Sequence, residues 1–596
     1  MRILLATAVA IAPLMMASGA AADVVISTAR TTPITTGNAT GSGPDNIQIA
    51  NGGSILVTSG VALTVNSSNN VEMLSGSTIT MGNSADGSVG ILVNGGNTSN
   101  LTIAGTISVI DDLTADSDLD TDNDGDDDGP WANGSNRVGI HVAGASPLTG
   151  TLELVNGGAV VVAGNDSTGV LVEAPMIGNV NIFGAINIRG DNSYALRTTG
   201  AIDGNVNLTG AINARGEGVV GVSIEGDVSG RVMIESAITA SGFRYTSALP
   251  DRPADYVETA ANDADNLFRD ELDPDDLLIG GPAVQIAANV GNGVIFDRAP
   301  AYSAAGIEGD DDNDGVANGD EDDDADGTIN RNDTDRDGDG IPDAQESTAT
   351  ITSYGEAPAV VIGSASESIN IGVAGTGSSA YGFINRGTIT GQGVFAEFSP
   401  TAVQFGGHAG QTVTIDGGIL NEGAIAALGI NADTVAINIG EGLITPEFVN
   451  SGTITSGVSS DTAVSGTTIL IDVGAQLPSL TNSGNILAAA GGGVSDVTAI
   501  RDLSGSLTSI TNLGSLQANV TANADGDPIT GQTIAIDVSA NTTGVTILQN
   551  GVAGTATSTD PDTDGDGVPD SAEPEIYGDI LLGRSEEHTS ELQSRA

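Results

Sequence analysis

The sequence predicts an all-β protein wound as a parallel β-helix, a solenoid in which each turn stacks on the one before. Three observations carry this. The first is a repeat. Gly178-Asn179-Val180-Asn181-Ile182-Phe183-Gly184-Ala185-Ile186-Asn187 returns at an offset of 26 as residues 204–213, and again, degraded, as residues 230–239. The second is composition: Gly is 84 of 596 residues and aromatics are 3%, so large rings cannot anchor a conventional core. The third is period-2 alternation. It points Val180, Ile182 and Ile186 inward and Asn181 and Asn187 outward. One such unit cannot bury its apolar face alone; stacked units do so and pair each strand with its neighbours.

The order along the chain begins with a targeting segment at residues 1–22. Arg2 supplies a positive start, residues 3–16 an apolar run, and Ala20-Ala21-Ala22 a small-residue cleavage site. Export to the cell surface, the outer membrane or the extracellular space follows as an expectation. Residues 23–243 read as repeats interrupted by an acidic loop at 111–131. Residues 244–309 read as an insert, with an acidic amphipathic helix over 253–268 that packs on the rod. Repeats resume at 347–556. There the kernel becomes apolar-x-Asn-x-Gly-x-apolar around Asn385, Asn421, Asn450, Asn482 and Asn512. These Asn side chains are expected either to shape turns or to stack as a ladder. Gly is expected at the turns because it accepts positive φ. At ~25–30 residues per turn, some 14–16 turns make a rod of roughly 70 Å at the ~4.8 Å strand spacing. The structural competitor is an array of β-sandwiches. It is disfavoured because loop lengths vary while the strand-Gly-strand kernel stays constant.

Formal net charge is −60, and all 17 basic residues are Arg. The field repels phosphate, so nucleic acid is excluded as a partner and a cation is the natural one. A hydrophobic content of 39% is too high for a disordered acidic polymer. With no Cys there are no disulfides and no thiol chemistry. His141, His408 and His588 stand in no metal or triad spacing.

The acid is patterned. Residues 310–346 hold three loops of one form. They run Asp310-x-Asp312-x-Asp314-Gly315-x-x-Asn318-x-x-Glu321, then Asp322-x-Asp324-x-Asp326-Gly327-x-x-Asn330-x-x-Asp333, then Asp335-x-Asp337-x-Asp339-Gly340-Ile341-Pro342-Asp343-x-x-Glu346. A single copy, Asp562-x-Asp564-x-Asp566-Gly567-Val568-Pro569-Asp570-x-x-Glu573, stands within residues 560–576. Ca²⁺ takes six to eight oxygens. Acids at positions 1, 3 and 5 wrap one side of it, Gly at 6 permits the sharp turn, the position-7 carbonyl adds an oxygen, and positions 9 and 12 close the shell. Calcium is therefore the expected cofactor. A weaker copy starts at Asp120, but its twelfth position is Trp131, which cannot close the shell.

These loops resemble thrombospondin type 3 repeats, without that family's cysteines. The signal peptide, the Phe448-Val449-Asn450-Ser451-Gly452-Thr453-Ile454 type of repeat, the missing Cys and the few aromatics together resemble an autotransporter passenger. That resemblance implies a Gram-negative outer-membrane route, a parallel β-helix and a C-terminal β-barrel. Residues 584–596 resemble the translation of a sequencing-library adapter, so the natural frame is expected to continue past Gly583 into such a barrel. The functional expectation is a calcium-binding structural or adhesive surface protein without enzymatic activity. Its partners would be calcium ions, surface glycans or neighbour-cell proteins, and its membrane contact would run only through the barrel. The alternative is a secreted polysaccharide lyase or hydrolase using calcium, carboxylates and an Arg base. Arg is scarce, and no Asp/Arg cluster lies on a repeat strand.

Overall fold

The computed structural model describes residues 23–112, 129–257, 268–299, 346–375, 377, 380–551, 562, 568–569 and 573–583. Three parallel sheets of 15 strands each run its length, and strands adjacent in a sheet come from successive turns of the chain. Each turn, or rung, gives one strand to each sheet. We number the rungs 1–15 from the N-terminus. Rung 6, for example, is Val180–Ile182, Ala185–Arg189 and Tyr194–Thr198. The fold is the predicted parallel β-helix, and fourteen spacings of ~4.8 Å give a rod of about 67 Å.

The 26-residue offset is the rung itself. Val180 pairs with Val206 and Val206 with Val232; Ile186 pairs with Ile212 and Ile212 with Ile238. All six are fully buried and belong to one continuous core. Asn181 and Asn187 face outward as expected and join their equivalents one rung on, Asn207 Nδ2 to Asn181 Oδ1 at 3.0 Å and Asn213 Nδ2 to Asn187 Oδ1 at 3.2 Å.

In the later rungs Asn turns inward and forms a ladder. Asn385, Asn421, Asn450 and Asn482 each donate through Nδ2 to Oδ1 of the next, at 2.7, 2.7, 2.7 and 2.8 Å. Asn512 ends the ladder on the carbonyl of Glu575 at 3.0 Å. All five are fully buried. Each also donates to the carbonyl two residues on, as Asn450 does to Gly452 at 3.2 Å. One side chain thus braces the corner and couples it to the neighbouring rung.

The glycine after this Asn is there for a different reason than turn conformation. Gly452 and Gly484 do not have positive φ. A Cβ on either would stand 2.1 Å from the carbonyl oxygen of the equivalent glycine one rung back, Gly423 or Gly452. The corner backbones stack too closely for any side chain. Positive φ does apply at Gly178.

Two further features depart from the sequence reading. The core is not free of aromatics. Phe296, Phe383, Phe405 and Phe448 are buried from rung 9 to rung 12, with ring centroids 5.6 Å apart for Phe296–Phe383 and 5.0 Å for Phe383–Phe405. The stack begins at the rung that carries the longest insertion. In addition, Met233, Ile295 and Ile384 point outward from the first sheet yet are buried, in a cluster with Ala374 and Tyr381 outside the rod. The expected helix over 253–268 falls mostly outside the described residues. Of its described ends, residues 254–255 turn and Phe268 is extended.

Asn450→Ala removes two ladder bonds and leaves Asn482 Oδ1 buried without its donor. At roughly 1–3 kcal/mol for an orphaned buried group, it should destabilise the rod by about 2–4 kcal/mol. Thr481→Ala, one residue from the ladder but facing out, should change stability by less than about 0.5 kcal/mol. Denaturant unfolding of the two variants measures the difference.

Candidate functional site

The corner between the first and second sheets is short through most of the rod. Two residues suffice in rung 8, Glu235-Ser236, and in rung 10, Arg386-Gly387. In rung 9 the chain leaves this corner after Val294–Phe296 and returns at Thr350–Tyr354. The predicted calcium array, residues 310–346, lies within this excursion of residues 297–349. Its ligands Asp310 through Asp343 lie outside the described residues; Glu346 is described, at the return.

The neck of the excursion is closed. Ala349 N donates to Asp297 O at 2.8 Å, so the chain's two ends meet. Asp297 N bonds Ile234 O at 2.9 Å and Thr350 N bonds Ser236 O at 3.0 Å on the rung below. Arg386 N bonds Phe296 O at 2.7 Å and Thr388 N bonds Ala349 O at 2.8 Å from the rung above. Ser347 Oγ reaches the carbonyls of Thr209 and Glu235. The stack therefore passes the insertion unbroken. Lengthening a two-residue corner to about fifty costs about 3 kcal/mol of closure entropy, because that cost grows only logarithmically.

An ion ladder stands on the neck. Arg386 Nη1 lies 2.7 Å from Asp297 Oδ2 and Arg386 Nε 2.7 Å from Glu422 Oε2, linking rungs 9, 10 and 11. Burial works against the guanidinium charge. The two carboxylates outweigh it and hold the Arg386 pKa above its ordinary value. Nearby, burial itself pushes the Tyr381 hydroxyl up, and the charges of Glu447 and Glu422 add to it.

The single loop uses the same corner. It leaves rung 15 after Thr546–Gln549 and returns at Glu575–Tyr577. Of its predicted ligands, Asp562 and Glu573 are described, while Asp564, Asp566 and Asp570 lie outside the described residues. Val568, expected to offer its carbonyl, has a buried side chain packed at Gly551. The two excursions share one edge of the rod, six rungs or about 29 Å apart. Among the described residues no group of three or more His, Asp or Glu is gathered as for a metal.

The weaker acidic loop and residues 244–283 of the expected insert use the other edge, between the second and third sheets. The expected bounds of 244–309 run too far, because Val284–Ile286 and Val294–Phe296 are strands of rungs 8 and 9. The loop leaves rung 4 between Thr106–Val109 and Val138–Ala143; the insert leaves rung 8 between Ala237–Ser241 and Val284–Ile286. Trp131, at the loop's twelfth position, is buried beneath Arg244, whose guanidinium carbon lies 5.2 Å from the ring centroid. Arg244 also pairs with Asp275 at 3.1 Å and Asp276 at 3.6 Å. Trp131 thus fastens the two excursions together. Sequence spacing could mark it only as a failed ligand.

His141 is less isolated than its sequence surroundings imply. Its Nε2 lies 2.9 Å from Glu173 Oε2, one rung on. The pair is 32 residues apart and becomes visible only once His141 is registered against Leu171. No protein-family model, curated protein or solved structure matches the chain.

Arg386→Gln should leave the nearly buried Asp297 carboxylate without its counter-charge. A loss of about 1–3 kcal/mol is expected, with earlier protease cleavage at the neck. Thermal unfolding and time-resolved proteolysis measure both.

Proposed function

We propose that this chain is an exported, calcium-binding surface protein of structural or adhesive kind, the passenger region of an autotransporter-like polypeptide. The observation that carries the reading is the closed neck in rung 9. The rod continues through it, so an acidic array inserted at this corner can take up ions without breaking the stack. The array's donors are all oxygens, the set a hard cation such as Ca²⁺ prefers. Its 37 residues contain 16 Asp or Glu against Arg331 and Arg336. In this reading surface glycans or neighbour-cell proteins meet the rod or its appendages.

Energetics favour a role for the ion. Each site adds about 1.4 kcal/mol when calcium is tenfold above Kd, so three sites supply about 4 kcal/mol. That exceeds the roughly 3 kcal/mol of closing the loop. Extracellular modules often bind at ~10⁻⁴–10⁻³ M, so millimolar calcium outside a cell is enough.

The test is titration calorimetry with limited proteolysis, in calcium and in chelator. Calcium should protect residues 310–346 and raise thermal stability. Asp337→Ala, at a third position, should weaken binding more than Asp311→Ala, which lies between ligand positions. Equal cleavage with and without calcium, or equal effects of the two substitutions, reduces the array to an acidic linker.

A further inference from the structure

The outer face of the second sheet is unlike the rest of this acidic molecule. In each rung from 2 to 14, two stacked columns of outward residues, from Ser54 to Gln517 and with Ala211 and Asn213 in rung 7, are uncharged, while Arg189 and Arg215 follow at the next outward position of rungs 6 and 7. Most are Thr, Ser, Ala or Asn, and all retain solvent exposure. Rungs 9, 10 and 12 present paired threonines: Thr350 and Thr352, Thr388 and Thr390, Thr453 and Thr455. The other faces differ. Glu72 and Glu153 stand on the first sheet, and Arg197, Arg501 and Asp537 on the third. Toward the third sheet the uncharged surface continues into a trough of about 430 Å³ lined by Leu428, Gly457 and Asn519 among others.

We infer that this face is a self-association surface, whose occupant is the same face of a second copy of the chain. Two considerations on charge and size single out that partner. A protein of net charge −60 repels its own copies over most approaches. Two columns without charge or carboxylate, bordered by Arg189 and Arg215 in rungs 6 and 7, on a rod whose acid is gathered in excursions at its corners, are where two copies can touch without burying unpaired carboxylates. The dimensions also fit. Thirteen rungs at ~4.8 Å span about 58 Å, and two outward columns are about 12 Å wide. That is roughly 700 Å² per copy, or 1,400 Å² in total, inside the range of stable protein pairs. Short side chains at strand spacing let two such faces approach closely along their length. Screening by salt, or neutralisation of the acidic array by calcium, should tighten the pair by lowering repulsion at its borders.

Sedimentation equilibrium of the full chain tests this without depending on the calcium reading. With chelator and about 0.5 M NaCl, where the Debye length is well below 10 Å, a dimer is expected at micromolar concentration. The double variant Thr352→Arg with Thr390→Arg puts like charges opposite one another in the pair. It should weaken association about a hundredfold or more, with circular dichroism and melting temperature unchanged. Thr511→Arg, on the outer face of the first sheet, should leave the dimer intact. A chain that stays monomeric at the highest soluble concentration overturns the inference, as does a dimer indifferent to the double variant. A monomer that instead uses the two threonines to bind ice or a neutral polysaccharide overturns it as well, by assigning the face another occupant.

Discussion

Everything in this molecule answers to the spacing between rungs. Parallel pairing holds each strand about 4.8 Å from the next, so every residue sits on its equivalent one turn away. A side chain is tolerable only if it tolerates itself, stacked. Apolar residues satisfy this by filling a common core, and amides by bonding end to end. Gly452 and Gly484 satisfy it by having no side chain at all, since even a methyl group would strike the carbonyl of the rung behind. The Asn ladder from Asn385 to Asn512 is the buried polar form of the same rule. Its amides supply donor and acceptor together, so a column of one residue type pairs with itself.

That rule explains what the sequence made legible. A strict stack writes its own period, and the 26-residue offset passes directly into the pairing of Val180, Val206 and Val232. The later kernel likewise announces its Asn column, although spacing alone leaves open whether those side chains shape a turn or a ladder; they do both. Contacts between distant excursions were not legible. Trp131 and Arg244 lie on loops that leave rungs 4 and 8, and no periodicity relates them. The outward cluster of Met233, Ile295 and Ile384 escaped for a similar reason. Alternation assigns those side chains to solvent, and only the folded loop near Ala374 and Tyr381 covers them. The reason for the corner glycines was also hidden, because a close approach between rungs leaves the same letter in the sequence as a left-handed turn. Of the candidate calcium ligands, the sequence supplies the spacing and the structure supplies the corner at which their segments leave and rejoin the rod.

Charge is distributed by the same logic. A stacked carboxylate column inside or along a strand would place like charges one strand spacing apart, which is destabilising. The chain has no such carboxylate column among its described strands: signs alternate in the stack of Asp297, Arg386 and Glu422, the like-charged pair Arg189 and Arg215 is basic, and most of the remaining acid lies in excursions at the corners. The rod proper is therefore far less charged than the whole.

The closed neck at Asp297 and Ala349 has a consequence for how such a chain can change over generations. Both ends of the excursion sit where a neighbouring rung uses only two residues, and one hydrogen bond joins them. A gene segment spliced in or out between those points meets a backbone already returned to its starting place. Corner excursions can thus be gained, lost or exchanged as cassettes while the rod is inherited intact, and the rod's age need say nothing about the age of what it carries.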